Sequence, residues 1–233
     1  MRDRMNIFCL FILLCLAPSL SQARTIYVFS PLDARANVVQ DKLNAKCSDV
    51  DFVVFGRFKD FEAQMKAQPP YGILALQPIV EKKSDFKPIF LGVKGGETVE
   101  TYVLVSVDTP VDIKKLDGSK VGAFDLLGRK EMKEFISSQL NAEVNVRRVT
   151  KNEDLLPLLS FNSVESIFLP SSLFDKMKAT TNLNLVSTPL ENKIGLISAA
   201  LSDASPSESL KSCISEFSNE INNMLGVEKW KEL

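Results

Sequence analysis

Short apolar strands alternate with amphipathic helices from residue 25 onward, and this alternation constrains the fold more than any other feature. Residues 25–29 are a β-branched and aromatic run, and residues 34–46 carry apolar side chains at helical spacing. A strand, a helix and a third strand follow over residues 50–55, 58–68 and 71–76. Strands that alternate with helices of this length predict a mostly parallel sheet covered on both faces.

The chain departs from this alternation after residue 85. Residues 86–93 and 98–107 are predicted strands on either side of Gly95-Gly96, a pattern that favours either an antiparallel hairpin or a crossover. Asp117-Gly118 is a strong turn signal that opens a new unit. We therefore expect a second lobe over residues 108–187, with residues 24–107 and 188–233 forming the first lobe.

The second unit repeats the β/α order. Its predicted strands and helices fill residues 120–178, with a helix over residues 129–140 as the longest. Two further strands, residues 183–186 and 193–201, lead back to the first lobe. Apolar residues at helical spacing then predict one long amphipathic helix over residues 207–225.

The first 23 residues have the pattern of a secretory signal. Arg2 and Arg4 precede an apolar run over residues 7–17, and the small-residue ending Ser21-Gln22-Ala23 predicts cleavage before Arg24. Such a run is shorter than the roughly 20 residues that a membrane-spanning helix needs, so an uncleaved anchor is the less favoured alternative. We expect an exported protein.

Composition excludes several functional classes. The chain has no histidine, which removes the commonest general base and the usual zinc and copper ligand clusters. Its formal net charge of −1 argues against a nucleic acid or a membrane surface as partner. We expect neither a cofactor nor a metal, and we do not expect an enzyme.

Two cysteines remain after the signal, Cys47 and Cys213. An oxidising compartment favours a disulfide between them. Pairing requires the C-terminal helix to return to the first lobe, and two free buried thiols are the alternative, because spacing alone does not fix the geometry of a disulfide.

Four segments carry a resemblance to a known family: residues 25–31, 102–107, 112–122 and 193–197. Their order resembles the type II periplasmic solute-binding proteins, specifically the phosphate- and phosphonate-binding branch of ABC transporter substrate-binding proteins. The resemblance implies an α/β fold of two lobes joined by two crossing hinge strands, which close on a ligand in the cleft. A generic α/β domain is the alternative.

The same resemblance implies a setting and partners. It places the mature protein in the periplasm as a monomer, with a small-molecule ligand and either an ABC permease or a membrane sensor kinase as partner. An exported solute-binding protein is therefore the leading hypothesis. A ligand-degenerate interaction or sensory protein, partnering a membrane receptor, is the alternative. An enzyme with an Asp33–Asp125 pair across the cleft is a third class that no spacing in the chain supports.

Candidate ligand contacts follow from a rule of open α/β sheets, in which ligands lie beyond the carboxyl ends of the strands. Several of the selected residues are also good helix caps, which would explain them without a ligand. Tyr102 could also stack on a ligand, although aromatic residues in strands are usually core. The predicted ligand-binding residues are Ser30, Asp33, Arg57, Gln77, Phe124, Asp125, Gly128, Arg129 and Ser171.

The turn over residues 124–129 departs from the anion-binding pattern of the family. Anion-binding members place hydroxyls and helix N-terminal amides at this turn, whereas this chain has Asp125 followed by two leucines. A tight phosphate or phosphonate site is therefore not favoured here. Arg129 could still clamp a carboxylate or phosphate, and a solvated arginine at the start of a helix is the alternative.

Overall fold

The computed structural model describes residues 24–31, 34–202 and 207–233. The predicted signal, residues 1–23, and Asp33 lie outside these ranges. Within the described residues the chain is a mixed α/β structure with two sheets flanked by helices, as the sequence predicts. No helix in this part of the chain is long and apolar enough to cross a membrane.

The first sheet is built mainly from the N-terminal alternation. Its predicted strands are confirmed within one or two residues at their ends, and its first three strands run parallel to one another. The elements are β1 (Thr25–Phe29), α1 (Ala36–Lys46), β2 (Asp51–Val54), α2 (Phe58–Ala67), β3 (Gly72–Leu76), α3 (Gln77–Glu81) and β4 (Phe86–Val93).

The second sheet follows the predicted β/α order of residues 120–178. Strand order is β7-β6-β8-β5-β9, with β6 parallel to both β7 and β8. Short 3-10 turns cover Ile113–Lys115 and Asn152–Asp154. The elements are β5 (Val99–Val107), β6 (Lys120–Phe124), α4 (Arg129–Leu140), β7 (Asn145–Val149), α5 (Leu155–Ser160), β8 (Ser166–Pro170), α6 (Ser171–Lys178) and β9 (Leu185–Gly195).

The C-terminal region contradicts the prediction of one long helix over residues 207–225. It contains two short helices, because the side chain of Ser218 accepts a hydrogen bond from the Ile221 amide (3.3 Å) and starts a new helix. Phe217, at the break, packs against Trp230 with ring centroids 6.2 Å apart. The elements are β10 (Ile197–Ser202), α7 (Glu208–Ser215), α8 (Asn219–Met224) and β11 (Lys229–Glu232), and the first sheet has the order β11-β4-β10-β3-β1-β2.

Two short segments carry the chain between the sheets. Of the alternatives at Gly95-Gly96, the crossover is the one observed: a tight turn joins β4 in the first sheet to β5 in the second. Both glycines have positive φ (57° and 84°), which glycine adopts without strain. The return passes through Leu196, whose amide donates to the Thr98 carbonyl (2.9 Å), so that the two crossings lie side by side.

Sheet membership changes at these crossings and not at residues 107/108 and 187/188. β5 and β9 pair with each other along their length and belong to the second sheet, because the crossings precede β5 and follow β9. The expected boundary at residues 107/108 lies at the end of β5, and the one at residues 187/188 lies within β9. The division of the chain into two lobes at those residues stays a prediction.

A disulfide joins Cys47 to Cys213, with Cα atoms 5.5 Å apart. It ties the end of α1 to α7, so the C-terminal region does return to the first lobe. Ion pairs reinforce the same contact: Lys42 pairs with Glu220 at 3.0 Å. Because these charges are largely exposed, the covalent bond and the buried apolar side chains hold the contact more strongly than the ion pairs do.

Candidate functional site

An inner cavity of about 450 Å³ lies between the two sheets. Its walls come from both lobes: Leu76 ends β3 of the first sheet, while Phe124 and Phe168 belong to strands of the second sheet. The crossing residues 194–197 and the C-terminal residues 223–228 complete the lining. A molecule in this cavity would contact both lobes and the connection between them.

An outer cavity of about 720 Å³ adjoins the inner one. The two share Ser30, Phe124, Asn152, Leu173 and Lys176, so they are compartments of a single cleft. The inner compartment is walled mostly by aliphatic and aromatic side chains. The outer compartment has a more polar wall that includes several exposed charged residues.

Charged groups of the inner compartment are paired within the chain. Lys94 lies 3.3 Å from the carboxylate of Glu100, which also accepts a hydrogen bond from the Ser172 amide at 3.3 Å. Glu228 accepts a hydrogen bond from the Gly95 amide at 3.0 Å. These contacts satisfy both carboxylates without a ligand.

Tyr102 is the most buried polar side chain of the inner wall, with 6% of its surface exposed. Its ring stacks on Phe168, with centroids 4.8 Å apart and planes inclined by 29°. Burial raises the pKa of Tyr102 well above its usual value, and the nearby charge of Glu100 adds to the effect. The hydroxyl is therefore protonated throughout the physiological range and can donate a hydrogen bond.

The two lobes contact each other beside the cleft. Phe29 of β1 stacks on Phe124 of β6, with centroids 6.1 Å apart. Lys82 pairs with Glu131 of α4 at 3.4 Å. The Asn152 side chain donates to the Pro31 carbonyl at 3.4 Å. An apolar stack and two polar contacts thus link the lobes.

Solved structures share this arrangement although no family model and no curated protein matches the sequence. A protein from Xanthomonas citri bound to ATP matches with a TM-score of 0.63 at 8% identity, over 91% of this chain and 92% of that chain. An amino acid ABC transporter substrate-binding protein from Streptococcus pneumoniae, bound to L-arginine, matches with a TM-score of 0.59 at 12% identity, over 87% and 92%. The fold is that of a type II periplasmic binding protein.

The same fold is found in a domain of the protein BvgS. The VFT2 domain of BvgS from Bordetella pertussis, a double mutant, matches with a TM-score of 0.56 at 12% identity, over 88% of this chain and 92% of that domain. Identities this low establish the type II fold alone. The resemblance to the phosphate and phosphonate branch stays a prediction.

Within this type II fold, the structure brings two of the predicted ligand contacts together at the cleft. Ser30, directly after β1, and Phe124, at the end of β6, line both compartments. Ser30 is buried, with 8% of its surface exposed. Asp33 lies outside the described residues, so the Asp33–Asp125 pair has no structural account.

Three other predicted contacts are engaged with neighbours in the chain and do not line either compartment. Arg57 pairs with Asp60 one turn along α2 at 2.7 Å. The side-chain amide of Gln77 donates to Glu81 at 2.8 Å. The Ser171 hydroxyl donates to the Thr101 carbonyl at 2.9 Å and lies 2.8 Å from the Thr101 hydroxyl. Each contact gives the residue a local structural role.

The turn that precedes α4 holds the remaining three predicted contacts. Asp125 accepts a hydrogen bond from the Gly128 amide at 2.8 Å and forms an ion pair with Arg148. Gly128 has a φ of 76°, and Arg129 is exposed on the first turn of the helix. The Asp125 carboxylate thus occupies the amide that an external anion would use.

Sequence reasoning missed the contribution of the C-terminal region to the cleft. Residues 223–228 line the inner compartment, but the sequence predicted a helix that ends at residue 225 and no strand after it. It also left Tyr102 open between stacking on a ligand and a place in the core. The available signals were Gly226, which permits the positive φ of 77° at the end of α8, and the alternating residues 229–232.

Proposed function

We propose that this chain is an exported solute-binding protein, which holds a small molecule in the cleft and offers its ligand-bound form to an ABC permease or a membrane sensor. One observation carries the proposal: the inner cavity is walled by both lobes and by the segments that connect them. A ligand there gains contacts only when the lobes are together, so its binding shifts the population toward the closed arrangement.

The remaining parts of the proposal rest on other observations. The signal pattern of residues 1–23 supports export to the periplasm, and the shared fold with transporter components and with a sensory domain supports either partner. The absence of histidine from the sequence supports a binding role rather than an enzymatic one.

A phosphate or phosphonate is the less favoured ligand within this proposal. The oxyanion would need the amides at the start of α4, where Asp125 already accepts a hydrogen bond. Leu126 and Leu127 fill the rest of the turn and are almost fully buried, with 3% and 4% exposed. Placing an anion beside a carboxylate and two leucines would cost both repulsion and desolvation.

The alternative is a ligand-degenerate interaction or sensory protein. The buried leucines of this turn and the Phe29–Phe124 stack favour it, because both fill space between the lobes with the protein's own side chains. In that case the surface of the paired lobes would be the functional part, and the partner would be a membrane signalling receptor.

A thermal-shift experiment on residues 24–233 tests the proposal. Compounds should include L-arginine, L-glutamate, ATP, phosphate, a phosphonate and uncharged aromatic molecules. At a ligand concentration about 100 times Kd, binding stabilises by about 2.7 kcal/mol, which corresponds to a rise in Tm of about 5–10 °C for a chain of this size.

Either outcome is informative. A rise with one class of compound supports solute binding and identifies the class. If no class of compound raises the Tm of a sample that unfolds cooperatively, solute binding is overturned and the interaction protein is favoured. In that case the protein should bind the periplasmic domain of a membrane receptor.

A further inference from the structure

The inner compartment has the size and the walls of a site for an apolar molecule. Its volume of about 450 Å³ is about three times the roughly 150 Å³ that accommodates benzene in an engineered apolar cavity. Met132, Leu155 and Phe168, each at most 3% exposed, line it together with Ile194 and Leu196. A wall of this kind favours apolar surface and penalises an unpaired charge.

The charges on this wall do not offer a free partner to a charged ligand. Lys94 and Glu100 neutralise each other, and Glu228 is held by the Gly95 amide. Lys176, the other cation of the lining, is not free either. A charged ligand would have to break one of these pairs or remain without a counter-charge, and both cost free energy.

Two hydroxyls of the inner wall remain available, one directly after a strand of the first sheet and one in a strand of the second. Tyr102 and Ser30 line the inner compartment, and neither hydroxyl has a hydrogen-bond partner among residues 24–31, 34–202 and 207–233. Neither hydroxyl is fully enclosed by protein atoms, so each can form a hydrogen bond with a molecule in the cavity. A bound molecule with acceptor groups would satisfy both.

We infer that the inner compartment binds an uncharged, largely apolar molecule of about two or three rings, oriented by hydrogen bonds with Tyr102 and Ser30. This inference rests on the proposed function and names the ligand class of the same cleft. The ring stack of Tyr102 and Phe168 provides a rigid flat wall, and the hydroxyls fix the direction in which the molecule lies.

The test uses 6-propionyl-2-dimethylaminonaphthalene, an uncharged two-ring fluorophore with a ketone acceptor, added to residues 24–233. We expect saturable binding with a blue-shifted emission, and an affinity that does not depend on ionic strength because no charge is involved. Tyr102→Phe keeps the ring and removes the donor, and it should weaken binding about 3- to 10-fold. Ser30→Ala should weaken binding by no more than this.

Two further variants locate the probe. Leu173→Trp adds bulk where the two compartments meet and should abolish saturable binding. Phe161→Ala removes the most exposed large apolar side chain of the described chain, which is 80% exposed and lines neither compartment, and should leave binding unchanged. The Tm of each variant, measured alone, establishes that it is folded.

The outcomes separate the inference from the function. If L-arginine, L-glutamate or phosphate raises Tm while the fluorophore does not bind, the inference is wrong and solute binding stands. If the fluorophore binds equally to wild type, Tyr102→Phe and Leu173→Trp, it adsorbs to the surface and the inference is wrong. If no compound of either kind binds, the proposed function itself fails.

Discussion

Removal of the Cys47–Cys213 disulfide should lower stability by a large and calculable amount. The bond spans a sequence separation of 166 residues, and the entropy of closing a loop of this size is worth about 5 kcal/mol at 25 °C. Because native disulfides contribute about 2–5 kcal/mol in practice, we expect the Cys47→Ala/Cys213→Ala protein to lose about 3–5 kcal/mol of unfolding free energy.

Urea denaturation measures this loss. With an m-value of about 2.5 kcal/mol/M, the unfolding midpoint should fall by roughly 1–2 M, with little change in the slope of the folded baseline. Wild type treated with a reductant should fall to the same midpoint, which controls for the packing of the two alanines.

The mechanism makes a second, separable prediction. A cross-link acts mainly on the unfolded chain, so the affinity of the folded protein for a cleft ligand should stay the same at low urea concentration. Equal midpoints for oxidised and reduced wild type would refute the entropic reasoning. A loss of affinity without a loss of stability would refute it as well, because it would place the effect in the folded state.

Two further predictions concern charged side chains. Arg148→Met leaves Asp125 without its ion-pair partner in a mostly buried position, and should lower the unfolding free energy in urea by about 1–3 kcal/mol; the double change with Asp125→Asn should recover part of that loss. Burial alone would raise the pKa of Glu62, but Lys83 and Lys66 outweigh it and the pKa lies below 4.5. A carboxyl group whose pKa is lowered on folding stabilises the fold above its unfolded pKa, and this stabilisation is lost as the pH falls through the folded pKa. Glu62→Gln removes the group, so the Tm of the variant should fall less steeply than that of wild type below about pH 4.5. The same dependence of Tm on acid pH in both proteins would contradict the ion pairing.

Most of the fold was predictable because its signals are local. The helix over residues 129–140 was predicted at its observed bounds, since its apolar spacing and the glycine that precedes it lie within the element or next to it. The crossover at Gly95-Gly96 was predicted only as one of two options. Whether two strands around a tight turn pair with each other or enter separate sheets depends on distant strands.

The C-terminal error has a different cause. Phe217 and Ile221 keep helical spacing, so the apolar pattern continues across the break between Ser215, where α7 ends, and Ser218, which caps α8. A serine is acceptable inside a helix as well as at its start, so the sequence alone does not decide between the two. In the structure Phe217, which lies between α7 and α8, packs on Trp230 of β11, a strand that was not predicted.

The order of the strands predicted some residues of the candidate site, but it did not predict which polar side chains are engaged by neighbours in the chain. Ser30 and Phe124 were found because the ends of strands are topological positions, which the β/α order determines. Arg57, Gln77 and Ser171 satisfy the same rule, yet each is engaged by a neighbour in the chain. Strand order selects the loops that face a cleft, whereas the choice of partner by each polar side chain requires coordinates.

The turn before α4 shows why this distinction decides the ligand class. The sequence revealed that hydroxyls are missing there, but Arg129 remained a possible anion clamp. In the structure Asp125 is itself the anion at the start of α4, and Arg148 neutralises it, so the turn is electrostatically complete. Among the described residues of the inner compartment, the most buried polar side chains without a hydrogen bond are Tyr102 and Ser30, which are hydroxyls and carry no charge. A compartment whose charged groups are paired and whose buried hydroxyls face the cavity selects a ligand by shape and hydrogen bonding.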